Sequence, residues 1–348
     1  MRKHMRRMLA PMITAPLLAC GSGGGEGEPV RLTVPPGASF SEVTDTLAAR
    51  AIIDMPPLFK LYARVKGGAN SVKPGTYAFR PGVAWAQILD DLEVGRVINA
   101  RIVIPEAWDL RGIAPRIAQA LELDEDSVMV ALTDPATVSR LGVPGPTLEG
   151  YLYPATYTFP LSTPLDSAIA RMVATYSNVW TPERRARADS MGLSEREVVT
   201  LASIIEKEAR RPGEMPRISS VYHNRLDRGH RLEADPTVQY ALGAHQQRLL
   251  YAHIDSVADN PYNTYRNFGL PPGPIASPSA AGIDAALNPE DSDFLFFVAR
   301  PDGSHIFTRT LDEHNRARVE VRRLQQQGGQ QPAVADTSAN PGGGPPAR

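Results

Sequence analysis

Cysteine is nearly absent from the 348 residues: Cys20 is the only one, which rules out an intrachain disulfide and a cysteine-rich metal site. Net charge is nearly absent as well, with 37 Lys and Arg against 38 Asp and Glu. No overall field therefore draws the molecule to nucleic acid or acidic lipid, and nucleic-acid binding drops out as a first reading. Long apolar runs are missing: the one candidate, Met8 to Ala19, falls short of the ~20 residues that span a bilayer as a helix. His223, His230, His245, His253, His305 and His314 show neither HExxH nor another compact ligand pattern, so no metal site is expected. No GxSxG elbow marks a serine hydrolase, and nothing calls for a cofactor.

What the chain does have is 42% hydrophobic residues, enough for a real core, and 32 prolines with 28 glycines, the mark of many loops. Its start, MRKHMRR, is basic; the apolar run follows and ends in Leu17-Leu18-Ala19-Cys20 before the flexible GSGGGEGE. A charged start, a short apolar segment and a small residue before a cut is the order of an export signal. Leu-Leu-Ala-Cys resembles the lipobox of bacterial lipoproteins, which implies that residues 1–20 are a signal and that lipidated Cys20 holds the membrane. An uncleaved anchor is the rival reading, but about thirteen apolar residues make only ~20 Å of helix against a ~30 Å hydrocarbon core. Either reading puts the folded part outside the cytoplasm.

After a linker over 21–29, Val30, Leu32 and Val34 alternate as in a half-buried strand, and Ser39 with Glu42 makes a capping box for a helix carrying Val43, Leu47, Ala48 and Ile52. A second helix with Leu58, Phe59, Leu61, Tyr62 and Val65, a turn at Lys73-Pro74-Gly75, a strand over Thr76 to Phe79 and a helix from Ala84 to Leu92 complete an α+β module over 30–98. From Ala100 a similar unit begins, with Ile102 and Ile104 alternating and a helix from Leu110 to Leu121; two loose copies do not make a repeat array. A Tyr/Pro-rich loop, LEGYLYPATYTFP, precedes a helix over Leu165 to Tyr176. The run over 325–348 has almost nothing to bury and is expected to be disordered.

The strongest local signal is a second capping box, Ser194 with Glu197, before VVTLASIIEKEA. Val198, Leu201, Ala202, Ile205 and Ala209 recur at helical spacing, so a largely buried helix should carry Glu206 and Glu208 near its C-terminal end. The negative end of the helix dipole and a partly apolar setting both disfavour an ionised carboxylate, which raises its pKa and suits a proton donor. The plainer reading pairs both glutamates with Lys207, Arg210 or Arg211 on a solvated face. Further on, Tyr222-His223-Asn224-Arg225-Leu226 sits on a helix, and Asp235 reads as the N-cap of another with Pro236 in its first turn. Asn263-Thr264-Tyr265 precedes the rigid Gly269-Leu270-Pro271-Pro272-Gly273-Pro274-Ile275. Amides that bond hydroxyls and aromatic faces that cover rings fit a sugar cleft.

The segments LEGYLYPATYTF, LASIIEKEA, VYHNRL, LEADPTVQYAL, YNTYRNFGLPPGPIASPS and LFFVARPDGSHIFTRTLDEHN together resemble the MltG or YceG-like endolytic murein transglycosylases, in order and spacing. The resemblance implies an α+β fold: a small LysM-like N-terminal module, a mixed α/β catalytic domain over 99–324 and a disordered C-terminal tail. It implies an enzyme that cuts peptidoglycan glycan strands between N-acetylmuramic acid and N-acetylglucosamine, leaves a 1,6-anhydro end and helps terminate nascent strands beside the elongation synthases. It places the catalytic acid at Glu206, with Glu208 as a supporting residue or a rival, and makes Glu149, Tyr151, Asn224, Asp235, Asn263 and Tyr265 cleft residues. Relatives usually hold the membrane by one transmembrane helix, from which the short apolar segment and lipobox here depart.

One carboxyl group can serve such a reaction by protonating the leaving oxygen and then taking the proton of the muramyl C6 hydroxyl. Two other readings compete: a hydrolytic muramidase with Asp235 as second carboxylate, and a non-catalytic peptidoglycan-binding envelope protein. His305 and His314, inside a family-like segment, are read first as structural.

Overall fold

The alternation of Val30, Leu32 and Val34 becomes strand β1 (Val30–Val34) in the computed structural model, with Leu32 and Val34 buried. The structure describes residues 27–68, 71–246 and 249–328; the signal segment with Cys20 and most of the C-terminal tail lie outside them. Ser39 caps α1 (Phe40–Ala49) through the expected reciprocal pair, its hydroxyl accepting from the Glu42 N–H and the Glu42 carboxylate accepting from its own N–H. The helix ends before Ile52, because Ala51 takes a φ of 53° and turns the chain, yet Ile52 still enters the core. Helix α2 (Pro56–Lys66) points Phe59 and Ala63 inward and leaves Leu58, Leu61 and Val65 exposed. Strand β2 (Gly75–Phe79) runs antiparallel to β1, with Val30 opposite Phe79 and Val34 opposite Gly75. Helix α3 (Trp85–Val94) closes a cluster built from Leu32, Leu47, Phe59, Tyr77 and Ile88.

The chain divides into two compact units, one reaching to Asn99 with Pro160–Ser162 added, the other formed by Ala100–Phe159 and the residues from Thr163 onward. The second opens with the order of the first: strand β3 (Asn99–Ile104), helices α4 (Leu110–Leu121), α5 (Glu125–Thr133) and α6 (Pro135–Leu141), strand β4 (Ala155–Pro160) paired with β3, and helix α7 (Leu165–Val179). The echo extends to side chains. Tyr77 in Thr-Tyr-Ala-Phe donates its hydroxyl to the Lys73 carbonyl at 2.7 Å, and Tyr157 in Thr-Tyr-Thr-Phe donates to the Tyr153 carbonyl at 2.7 Å. Each ring stacks on the Phe two residues on, at 5.8 Å and 6.0 Å. The strand-then-helix echo at Ala100 is thus part of a longer strand, helices, strand, helix unit.

The rest of the second unit surrounds one buried helix. Helix α8 (Pro182–Ser190) leads to α9 (Glu195–Glu208), whose capping box forms as the sequence required and whose residues from Val198 to Glu206 are all buried. A short 3-10 turn, Pro212–Glu214, starts α10 (Met215–Asp227); α11 (Asp235–Leu242), α12 (Tyr251–Ser256) and α13 (Ala280–Leu287) follow, with α13 packed along α9. Strands β5 (Phe296–Ala299) and β6 (His305–Thr308) form an antiparallel hairpin, Phe296 opposite Thr308. Helix α14 (Leu311–Gly328) carries residues 325–328, the start of the run expected to be disordered, so order reaches past Gln325. Among the described residues no helix is long and apolar enough to cross a membrane, and no cluster of His, Cys, Asp and Glu could hold a metal.

Candidate active site

Glu206 and Glu208 leave the last turn of α9 in different directions, as two steps of 100° require. Glu206 turns inward and is 7% exposed. Its Oε2 accepts from the Ser279 hydroxyl at 2.7 Å and the Ser279 N–H at 3.1 Å, joining α9 to the N-cap of α13. Gly282 makes this approach possible, since a Cβ there would stand 2.5 Å from Glu206 Oε2. Burial raises the Glu206 pKa, the two Ser279 hydrogen bonds oppose the rise, and Glu106 adds to it. Ala209, expected inside, is the half-buried C-cap.

Glu208 is half-buried and lines an open groove of about 730 Å³. Burial pushes its pKa up to about 7, the charge of Asp235 adds to the rise, and the Tyr222 hydroxyl, donating to Oε1 at 3.1 Å, opposes it. The ordinary ion pairs with Lys207, Arg210 or Arg211 do not hold either glutamate; Arg211 instead pairs with Asp302. The groove is also lined by Asp235, Tyr265, Tyr222, Phe296 and Phe297.

Asp235 is not the N-cap that its place in the sequence suggested. Ala234 occupies the cap without a side-chain hydrogen bond, and the exposed Asp235 carboxylate accepts the Tyr265 hydroxyl at 2.6 Å. A carboxylate used this way is tied to Tyr265 rather than to its own helix. Asn224 and Asn263 are spent on backbone. The Asn224 amide donates to Ser292 and Phe294 carbonyls at 2.8 and 3.0 Å, and the fully buried Asn263 donates to Ile254 and Val257 at 2.9 and 3.0 Å. Asn263 Oδ1 accepts from the Tyr265 N–H at 3.1 Å, which sets where the Tyr265 ring starts.

Glu149 and Tyr151 lie below the surface, at 4% and 0% exposure. Glu149 Oε2 accepts from the first N–H of α4, that of Leu110, at 3.1 Å. Burial pushes its pKa up to about 8 against that hydrogen bond. Tyr151 stands edge-on to Tyr176 at 5.2 Å. Between them Gly150, at φ 83°, lets the loop touch Pro274, whose Cβ would be 2.4 Å from any side chain there. The two Gly/Pro loops that the sequence separated by more than a hundred residues thus lock together.

Residues 32–320 match the YceG-like family. The chain belongs to the YceG-like family. An endolytic murein transglycosylase of Bacillus subtilis is 34% identical over 305 residues, covering 83% of this chain and 84% of its own length. One from Streptococcus pneumoniae is 29% identical over 317 residues, 82% of this chain, and the match spans 57% of that longer protein. The crystal structure of a YceG-like protein from Listeria monocytogenes superposes with a TM-score of 0.58 at 35% identity, over 83% of this chain and 98% of the other.

In this YceG-like chain one groove residue, His305, belongs to a pair that lies far apart in the sequence. Glu214, on the 3-10 turn, receives His305 twice: the backbone N–H on Oε1 at 3.2 Å and Nδ1 with Oε2 at 2.7 Å. The histidine ring lines the groove with its side chain 2% exposed. His314 stacks on Phe296 at 5.2 Å. Tyr222 reads in the sequence only as part of a helix, and Ser279 carries no expectation of a role in the site. The sequence around Ser279 signals only the N-cap of α13; that either hydroxyl reaches a glutamate on α9 is set by the packing of α10 and α13.

Proposed function

We propose that this YceG-like protein is an endolytic lytic transglycosylase of peptidoglycan and that Glu208 is its acid and base. The observation that carries the assignment is Glu208 itself: a half-buried carboxyl in an open groove, pushed up to about 7, so that it holds or releases a proton near neutral pH. The motif match favoured Glu206, but that carboxylate is bound by Ser279 inside the α9–α13 packing and is absent from the groove lining. The rival assignment keeps Glu206 as the acid, as the family resemblance implies, and the two Gln variants below decide between them.

The protonated Glu208 gives its proton to the glycosidic oxygen as the bond from the muramyl anomeric carbon breaks. The muramyl C6 oxygen then bonds to that carbon, and its proton returns to the Glu208 carboxylate. No water is consumed, and a 1,6-anhydro end results. The Tyr222 hydroxyl stabilises the carboxylate form while the Asp235 charge disfavours it, so the group is balanced between both roles. Phe297 and Tyr265, which line the groove, offer aromatic surface to sugar rings.

Asp235, in the same groove, supports a second reading in which it directs a water and the enzyme is a hydrolytic muramidase. Weighing the products decides: uncrosslinked glycan strands are incubated with wild type, Glu208→Gln and Glu206→Gln, and the ends are analysed by mass spectrometry. An anhydro end, one water lighter than a hydrolysed one and lost in Glu208→Gln, is the expected outcome. Full cutting by Glu208→Gln returns the role to Glu206. The same reading takes the first unit as a LysM-like glycan-binding module, Cys20 as the lipid anchor on the outer face of the membrane, and strand termination beside the elongation synthases as the task.

A further inference from the structure

We infer that a hollow on the other flank of α9 is a second binding site, which takes the acidic peptide borne by a sugar of the strand. The inference rests on the reading that the strand is peptidoglycan, whose alternate sugars carry peptides with free carboxylates. Lys207 stands between the two glutamates on α9 and lines neither the helix interface nor the groove, but a separate hollow of about 580 Å³. The first turn of α11 divides the two spaces: Asp235 lines the groove and Pro236 the hollow. Neighbouring residues thus face the two spaces, Lys207 and Pro236 the hollow, Glu208 and Asp235 the groove.

The lining of the hollow selects a carboxylate. Its one acid, Asp109, is already spent: Oδ1 accepts from the Gly112 N–H at 3.1 Å to cap α4, and Oδ2 pairs with Arg111 at 2.8 Å. Arg111 is fixed in place, its guanidinium 4.8 Å from the Tyr240 ring and one nitrogen donating to the Tyr240 carbonyl at 3.1 Å. Its other terminal nitrogen faces Gly243, where a Cβ would come within 3.0 Å. Lys207 is exposed and gives one N–H to the Ala107 carbonyl at 3.2 Å, which leaves two for a ligand. Asp109 and Arg111 balance each other, so the Lys207 ammonium is the surplus positive charge of the lining; with the Arg111 nitrogen that faces Gly243 it matches a peptide carboxylate, and a bare sugar hydroxyl would leave that charge unused.

The test titrates the full-length protein calorimetrically with a soluble disaccharide carrying its tetrapeptide and with the same disaccharide stripped of the peptide. The peptide-bearing ligand is expected to bind about three- to tenfold more tightly, the worth of one or two half-exposed charged contacts. Lys207→Glu and Arg111→Gln are expected to erase that difference. Lys207 supports no packing, so its variant reads the site even if Arg111→Gln fails to fold. Equal affinity of the wild type for the two ligands, or a preference that survives Lys207→Glu, overturns the inference. Cleavage is scored apart from binding: a protein that cuts no strand yet shows the Lys207-dependent preference sinks the proposed function and leaves the second site standing.

Discussion

Glu206 and Glu208 stand two residues apart on α9, and the hydroxyls that serve them come from opposite sides: Ser279 of the α13 cap reaches Glu206 at 2.7 Å, and Tyr222 of α10 reaches Glu208 at 3.1 Å. One partner ties a carboxylate into the packing. The other leaves a carboxylate facing a groove with a hydrogen bond on one oxygen only. This asymmetry yields most of the expectations that follow.

Removing the carboxyl acid at each position separates catalysis from packing. Glu208→Gln is expected to lower the rate of strand cleavage by about 10²- to 10⁴-fold, the usual worth of a positioned general acid and base. Glu206→Gln keeps an oxygen for Ser279 and is expected to stay within a few-fold of wild type. Initial rates on purified glycan strands, followed by release of anhydro ends, check both.

The pH profile should report Glu208. A general acid works protonated, so turnover is expected to fall as pH rises through about 7. Asp235→Asn removes a charge that raises that pKa and should move the falling limb to lower pH. Tyr222→Phe removes the hydrogen bond that lowers it and should move the limb to higher pH. Opposite shifts from two neighbours of one group are hard to obtain from loosened structure, and a profile unmoved by both would show that another group controls it.

Glu149 should leave its mark on stability rather than on cleavage. Its folded-state pKa of about 8 lies above the unfolded value near 4.5, so the native state binds the extra proton. The stability linked to this group is therefore complete below about 4.5 and drains away as pH rises to about 8. Glu149→Gln cannot ionise and should flatten that part of the curve, so its melting temperature, measured against wild type from pH 5 to pH 9, gains on wild type toward the alkaline end.

Ser279→Ala strips α13 of its N-cap and Glu206 of its short hydrogen bond in one change. A lost cap and a carboxyl left less satisfied in a buried place are together worth about 1–3 kcal/mol. Urea unfolding should show that loss as a lower midpoint with an unchanged slope. An unchanged midpoint would mean that the α9–α13 contact is carried by apolar packing alone.

The local code of the chain is strong enough to write most helices unaided. Both capping boxes, at Ser39 and Ser194, form as reciprocal hydrogen bonds because the three-residue spacing closes them within one turn, whatever else folds nearby. The apolar spacing of Val198, Leu201, Ala202 and Ile205 fixed α9 as a buried helix for the same reason. Asp235 shows the limit: an aspartate before a proline reads as a cap, but Tyr265, thirty residues on, offers the carboxylate a better partner.

What the amino-acid order determined by itself was a buried helix ending in two glutamates and a set of Gly/Pro loops that could hold a cleft. Which glutamate faces the open groove was decided only in three dimensions. Successive side chains on a helix point about 100° apart, and the sequence of α9 does not say which elements will lie on each side of its last turn. Packing of α13 closed the side of Glu206, and α10, α11 and the β5–β6 hairpin left open the side of Glu208.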